Sequence, residues 1–576
     1  MKKFKDFKPL LSLLKEEKKS LIIASIIIFI SEFSNTFSGY LNGEAVESIT
    51  KMEIKNAIMY LGIYFFLSLF LDGFLYLKGW AMLRNTENKI SRNLEYKTYG
   101  KVLDLKAYAF EKTTSGEYIN RVTNDTGTIS MVFGNLVNLL SNFVGTFIIA
   151  VYVFMNSWII GLEIVVFLII LFFVIKKLNP VVIKTHKERK IESDKFASLV
   201  TESIRGIREI KTLGIKKNLL KNANENIKGI YNKTKDEIAL NKKFRITSKA
   251  IKTVMEVCVF LTCIILMYYG KTTLSFFIAM TYYVYRFMWL IDAIDNFNEM
   301  YQKLYVSLNR INEVLTNSLY PDEEFGNKSI KKIKGEIEFR NVEFGYPDER
   351  IILKNFNLKI EPHKKIAIVG SSGQGKSTLF NLLTRIFDPL KGEILIDNVN
   401  IKDLSESELR HHISIIRQEP FIFNRSIHDN FRLIKKNITI DEIRKYTKMA
   451  YLDDYIMSLP EKYETILGEG GVNLSGGQKQ RLSIARTLAK QSKIILFDEA
   501  TSSLDNKSQE YIKKSIDNLV KDHTVIIVAH RLSTIIDSDI IHVVNKGKII
   551  ASGTHEELLK TNKTYKNLYE TDSLNS

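Results

Sequence analysis

Residues Gly370–Ser377 read G-x-x-x-x-G-K-S and lie between the apolar run KKIAIV and the helical pattern TLFNLL. Gly370, Gly373 and Gly375 let backbone N–H groups turn inward around phosphate oxygens, and the start of the helix adds partial positive charge. Ser371, Ser372 and Gln374 complete the loop. Lys376 has the reach for the β- and γ-phosphates, and the Ser377 hydroxyl, followed by Thr378, suits a Mg²⁺ ligand. Further on, IILFDEATSSLD reads as a buried strand ending at Asp498, a carboxylate for the same Mg²⁺ shell. Glu499 then stands where an attacking water is oriented or deprotonated, the one further part that hydrolysis requires. The competing reading, an acidic strand end that caps the next helix, is outweighed by the loop upstream.

Between these motifs lies LSGGQKQR, Leu474–Arg481, a second Gly-rich turn entering a helix and so a second start suited to anions. One γ-phosphate does not need two cradles in one domain. Ser475, Gly476, Gly477 and Gln478 are therefore expected to serve a nucleotide held by another copy of the chain.

The elements that position these residues follow from pattern. Lys365–Val369, Lys493–Phe497 and Thr524–Val528 are strand candidates, and β-branched runs alternate with helical patterns beyond the polar linker at about Tyr320. This predicts an α/β P-loop domain over residues 319–576. Residues 1–318 differ in kind: six apolar runs approach the ~20 residues a bilayer-crossing helix needs. They cover about Ser20–Leu41, Ala57–Leu77, Leu136–Met155, Trp158–Ile175, Ala250–Tyr269 and Leu274–Ile294. Buried core helices are the alternative, yet LIIASIIIFI and VCVFLTCIILMYY are apolar on every face. The expected fold is thus a helical membrane domain, with long cytoplasmic extensions, fused to an ATPase domain.

Composition agrees. The 576 residues carry a formal charge of +18, and a mean hydropathy of -0.05 with 25% charged residues means that apolar and charged residues are segregated along the chain. Basic residues crowd Lys78–Asp125 and Lys176–Lys249, which places these segments and both termini in the cytoplasm. The excess needs no nucleic acid, for which no motif is present. The only cysteines, Cys258 and Cys263, share one apolar run, which excludes a disulfide framework. Lys-rich Met1–Ser20 has no small-x-small cleavage site after its apolar run and reads as leading into an uncleaved first span.

With P-loop, LSGGQ and FDE in this order, the chain resembles an ATP-binding cassette (ABC) transporter, specifically an exporter-type half-transporter. The resemblance implies a head-to-tail dimer of nucleotide domains that encloses two ATPs with Mg²⁺, formed with a second copy or a related half-transporter. By matching motif, Tyr346 in EFGYP resembles the aromatic that stacks on adenine, and Gln418 in IRQEP the loop glutamine at Mg²⁺. His530 in VIIVAHR resembles the switch histidine at the γ-phosphate, and Asp505 in SSLD the loop that crosses the dimer interface. Gly116, Arg121, Asn124 and Asp125 resemble the first cytoplasmic loop of exporters; Glu202, Gly206 and Lys211 resemble the second. Coupling helices are expected near Asn124–Ser130 and Thr212–Leu219. Gly470 departs from the arginine that many exporters have in LGEGGVN.

The function this implies is ATP-driven export by alternating access in a bacterial plasma membrane. Glu32, Asp72, Glu163, Glu256, Arg286 and Asp292 lie within the spans and are costly there unless paired or facing a cavity. Glu32 and Arg286 both fall near mid-depth, where they either pair or give an acidic cavity for a cationic peptide or amphipathic drug. Flipping of a lipid or lipid-linked cargo is the alternative within transport. A non-transporting ATP-gated channel or regulator is the alternative outside it, and the intact Glu499, Ser475 and His530 speak against that class.

Overall fold

The computed structural model describes the chain except residues 1–7, 108, 114, 317–321, 347–349, 372, 469–470, 499–505, 530–533 and 575–576. It divides into two compact units, Met1–Leu103 with Ser115–Leu319, and Asp104–Thr114 with Tyr320–Ser576.

Long helices build the first unit. They are Lys8–Thr50, Ile54–Leu103 with a π-helical stretch at Ser68–Leu75, Ser115–Asn156, Trp158–Arg205, Lys216–Tyr268 and Leu274–Leu315. At 1.5 Å per residue the 48-residue helix Trp158–Arg205 is roughly 70 Å long, well over twice the ~30 Å hydrocarbon core. The short turns have local causes. Ser157 leaves helical geometry and accepts the Ile160 N–H, and Thr273 accepts the Phe276 N–H, so each hydroxyl caps the returning helix. Among the described residues, five helices are long and apolar enough to cross a membrane. The sixth expected span falls on Leu274–Leu315, a single helix that is not among those five. In the second helix none of the apolar window is buried, and Phe65, Phe66 and Phe74 are exposed. A core helix would hide such a face; a lipid-facing one presents it.

The first and sixth helices (Lys8–Thr50 and Leu274–Leu315) lie in close contact. A Cβ on Gly43 would stand 2.2 Å from the Ser275 carbonyl oxygen, and one on Gly39 2.8 Å from the Tyr283 ring. The Tyr283 hydroxyl accepts the Tyr40 N–H at 3.1 Å and donates to the Thr36 carbonyl at 2.9 Å, the two ends of one helical rung. Ser275 donates through its hydroxyl to Glu44 and through its N–H to Glu47, both at 2.8 Å. The loop-motif residues fasten the third long helix to the sixth: Arg121 pairs with Glu117 and Glu313, and Asp125 accepts the Ser307 hydroxyl.

In the second unit, strands β1 (Ile337–Phe344), β2 (Leu353–Ile360), β4 (Lys391–Ile396) and β5 (Val399–Asn400) form an antiparallel sheet in the order β2-β1-β4-β5. β3 (Lys365–Val369), β6 (Ile413–Ile416), β7 (Ile494–Asp498), β8 (Thr524–Val528), β9 (Ile540–Asn545) and β10 (Lys548–Gly553) form a second, in the order β10-β9-β3-β8-β7-β6. It is parallel from β9 to β6. Ile366–Val369 of β3, Ile494–Phe497 of β7 and Val525–Val528 of β8 read as unbroken apolar runs because both faces are covered. In β3, Ile366 and Ile368 join one core, while Ala367 and Val369 join the other. Asp104–Thr114 is tied into this unit by Lys106–Asp388 and by the Glu323 N–H on the Asp104 carbonyl. The stretch expected near Asn124–Ser130 instead lies within the helical run Ser115–Asn156 of the first unit.

The helix contact is testable. Gly43→Ala forces the first and sixth helices apart, an overpacking cost of ~1–3 kcal/mol, and is expected to lower the melting temperature of the purified protein. Gly62→Ala, which meets nothing within 4 Å, leaves it unchanged or raised.

Candidate active site

The carboxyl ends of β3, β7 and β6 carry the motif residues, where open parallel sheets bind ligands. After β3 the chain turns at Gly370, where a Cβ would stand 2.3 Å from the Val544 carbonyl oxygen of β9. Gly373, at φ 77°, is in the left-handed region that favours glycine, and a Cβ there would meet nothing within 4 Å. Its glycine is thus required by the turn of the backbone and not by crowding, which differs from Gly370. Gly375, at φ 89°, caps the helix Lys376–Leu383 without any side-chain cap. The first N–H groups of that helix thus keep their capacity for an anion. Lys376 is buried and folds back, its Nζ donating to the Gly370 carbonyl at 2.7 Å and the Ser371 carbonyl at 2.9 Å. Its cation therefore sits on the loop itself. Ser377 Oγ donates to Asp498 Oδ1 at 3.0 Å, joining the two motifs across the intervening β8. A hydroxyl and a carboxylate in contact, both oxygen donors, fit a Mg²⁺ site.

Tyr346 is half-buried, edge-on to Phe344 and Phe387. Its hydroxyl lies 3.3 Å from both Thr378 Oγ1 and Asn381 Nδ2, which fixes the ring beside the P-loop helix. Gln374 Oε1 accepts the Lys546 N–H from the β9–β10 turn. Gln418 is exposed just past β6, next to β7 in the sheet. Ser475 is the N-cap of the 15-residue helix Gly476–Lys490 and forms a capping box with Gln478, leaving the Gly476 and Gly477 N–H groups without partners inside the helix. Ser372, Glu499, Asp505, His530 and Gly470 lie outside the described residues.

Motif reasoning missed the fastening of that helix to β6. Gln480 Nε2 donates to the Gln418 carbonyl at 3.0 Å, Arg486 to the Phe421 carbonyl at 3.2 Å, and Lys490 Nζ to the Ile413 carbonyl at 2.8 Å. A signal was present. Gln480 falls on the stripe of Gly477, Ile484 and Leu488, where a polar residue on a buried face needs a partner.

Two family models match the chain, one described as ABC transporter over residues 353–502 and one as ABC transporter transmembrane region over residues 21–291. An ATP-dependent lipid A-core flippase of Wigglesworthia glossinidia brevipalpis is 31% identical over 494 residues, covering 84% of this chain and 83% of that protein. The chain belongs to the ABC transporter family. This ABC transporter is of the exporter type, a multi-pass membrane protein that couples ATP hydrolysis to transport. It is also 31% identical over 499 residues to the "Putative multidrug export ATP-binding/permease protein YgaD" of Bacillus subtilis (strain 168), covering 85% of each. Its fold matches a bacterial Atm1-family ABC exporter solved with ATP bound, with a TM-score of 0.80 and 23% identity over 97% of this chain and 98% of that one.

Gly370→Ala, which drives the loop off β9, is expected to weaken ATP binding by the transporter at least about tenfold, ~1.4 kcal/mol, in a fluorescent-nucleotide titration. Burial, with repulsion from Arg410 added, pushes Lys490 down to about 8. Free lysine titrates near ~10.4, so between these values the unfolded chain holds a proton the folded one has released. Stability therefore rises with pH across that window. Thermal melts there should show a rise that Lys490→Met abolishes.

Proposed function

We propose that this exporter moves an amphiphile with an apolar chain, a lipid or lipid-linked molecule, outward across a bacterial plasma membrane, as a homodimer with its nucleotide domains in the cytoplasm. The observation that carries the cargo reading is that Glu32, the acid in the groove wall, is already partnered within the chain. Glu32 contacts Arg286, and Glu256 accepts the Tyr285 hydroxyl. A cationic peptide would find those carboxylates already partnered. The groove between the first and third helices is apolar instead, lined by residues such as Ile26, Phe29, Phe33 and Val144. The relatives named as lipid A-core flippases support this reading; the relative named for multidrug export favours a neutral amphipathic drug as the second.

In the ATPase cycle, Gly370–Thr378 hold the phosphates, Lys376 turns its ammonium to the β- and γ-phosphates, and Tyr346 offers adenine a ring fixed by its hydroxyl. Ser377 and Asp498, with Gln418, would hold Mg²⁺, which would neutralise charge that builds on the phosphates. Glu499 orients the water and takes its proton, and His530 contacts the γ-phosphate. Ser475 and the Gly476 and Gly477 N–H groups close on the nucleotide of the second copy. Closure of the nucleotide domains turns the cavity outward, and hydrolysis resets it.

Glu499→Gln is expected to lower kcat for ATP by ~10²–10⁴ with nucleotide binding retained. In nanodiscs, added lipid-like amphiphile should stimulate wild-type ATPase where cationic peptides do not; stimulation by peptide alone overturns the cargo reading.

A further inference from the structure

The groove that carries the amphiphile reading holds about 350 Å³ and runs along the first helix from Leu21 to Thr36. A second cavity of about 290 Å³, bounded by Tyr40, Tyr152 and Tyr283, shares Thr36 and Ile148 with it, so the two are consecutive along one face. The Glu32 carboxylate stands in the wall between Phe29 and Thr36, near that junction. Gly145 makes room for it: a Cβ there would be 2.9 Å from Glu32 Oε1 and 3.0 Å from Thr36 Oγ1. Arg286 reaches across from the sixth helix into direct contact with Glu32 Oε1, its guanidinium 5.9 Å from the Trp289 ring centre. The side chains are only 12% and 19% exposed, and each lies about 18 Å into its span at 1.5 Å per residue. A lone charge at that depth would attract any counter-charge a ligand brings. Held in contact, Arg286 neutralises from behind the one charged side chain in the wall.

We propose that Glu32 and Arg286 are the charge-selectivity pair of this groove. Together they make its mid-depth neutral, so hydrocarbon passes and a single charge of either sign finds no uncompensated partner. The inference rests on the amphiphile reading above and adds to it which residues set cargo charge. Its signature is a pair of opposite changes. Without Glu32, Arg286 is left as an unpaired cation beside the groove and favours anionic ligands; without Arg286, Glu32 favours cationic ones. Removing both restores neutrality.

The test measures ATPase stimulation of the full-length chain in zwitterionic nanodiscs, each variant normalised to its own unstimulated rate. The probes share one tail: dodecyl maltoside, dodecyl phosphate and dodecyltrimethylammonium. Wild type should respond most to dodecyl maltoside. Glu32→Gln should shift half-stimulation towards dodecyl phosphate by about tenfold, and Arg286→Gln towards dodecyltrimethylammonium by a similar step, ~1.4 kcal/mol. The double variant and the exchanged pair Glu32→Arg/Arg286→Glu should return to the wild-type order, and they serve if a single variant fails to fold. Retention of the wild-type order by both single variants, a shift of both in one direction, or a shifted order in the neutral pairs overturns the proposal. Val144→Trp separates the two readings. If it abolishes stimulation while the charge variants keep the wild-type order, the selectivity pair alone falls. If it leaves stimulation intact, or if no probe stimulates wild type, the amphiphile seat falls and the pair with it.

Discussion

A polar group carried into apolar surroundings costs free energy unless it finds a partner there, and both units of this transporter are organised by that constraint. In the membrane unit it joins Glu32 to Arg286 and Ser275 to Glu44 and Glu47, and it seats the Tyr283 hydroxyl in the rung of another helix. In the nucleotide unit it surrounds the buried Lys365 ammonium with Asp517 and Asp537 at 2.9 and 2.8 Å. The start of the helix Lys376–Leu383 is left open, since its glycine cap brings no side chain to its N–H groups. Where the chain withholds a partner, a phosphate can supply one.

Legibility in the sequence followed the range of the forces involved. Lys365–Val369 and Thr524–Val528 are strands at the expected residues, and Ile494–Asp498 is one residue from the Lys493–Phe497 reading, because the central residues of a strand covered on both faces form a continuous apolar run. The P-loop and Asp498 were readable for a similar reason: their chemistry is local, and the 3.0 Å contact of Ser377 with Asp498 requires only that β3 and β7 lie near one another. The pairing of Glu32 with Arg286 was open to depth arithmetic, since two charges at one depth in a membrane seek each other.

Long-range partners were not legible. Nothing near Asp125 announces Ser307, since a hydroxyl on another helix leaves no periodic trace. The placement of Asp104–Thr114 with the nucleotide unit was hidden likewise, because its ties to Asp388 and Glu323 cross more than 200 residues.

The three side-chain bonds from Gly476–Lys490 to β6 and the segment after it have a mechanical meaning. Gln480 near one end and Lys490 at the other grip the carbonyls of Gln418 and Ile413, with Arg486 between them on Phe421. A helix held at one point pivots, whereas one held at three spaced points translates with its support. The roughly 22 Å rod that begins at Ser475 is therefore a stiff lever with β6 as its mount. A displacement applied at Gln418 reaches Ser475 without being absorbed in between, so the two loops report on one another as parts of a single body.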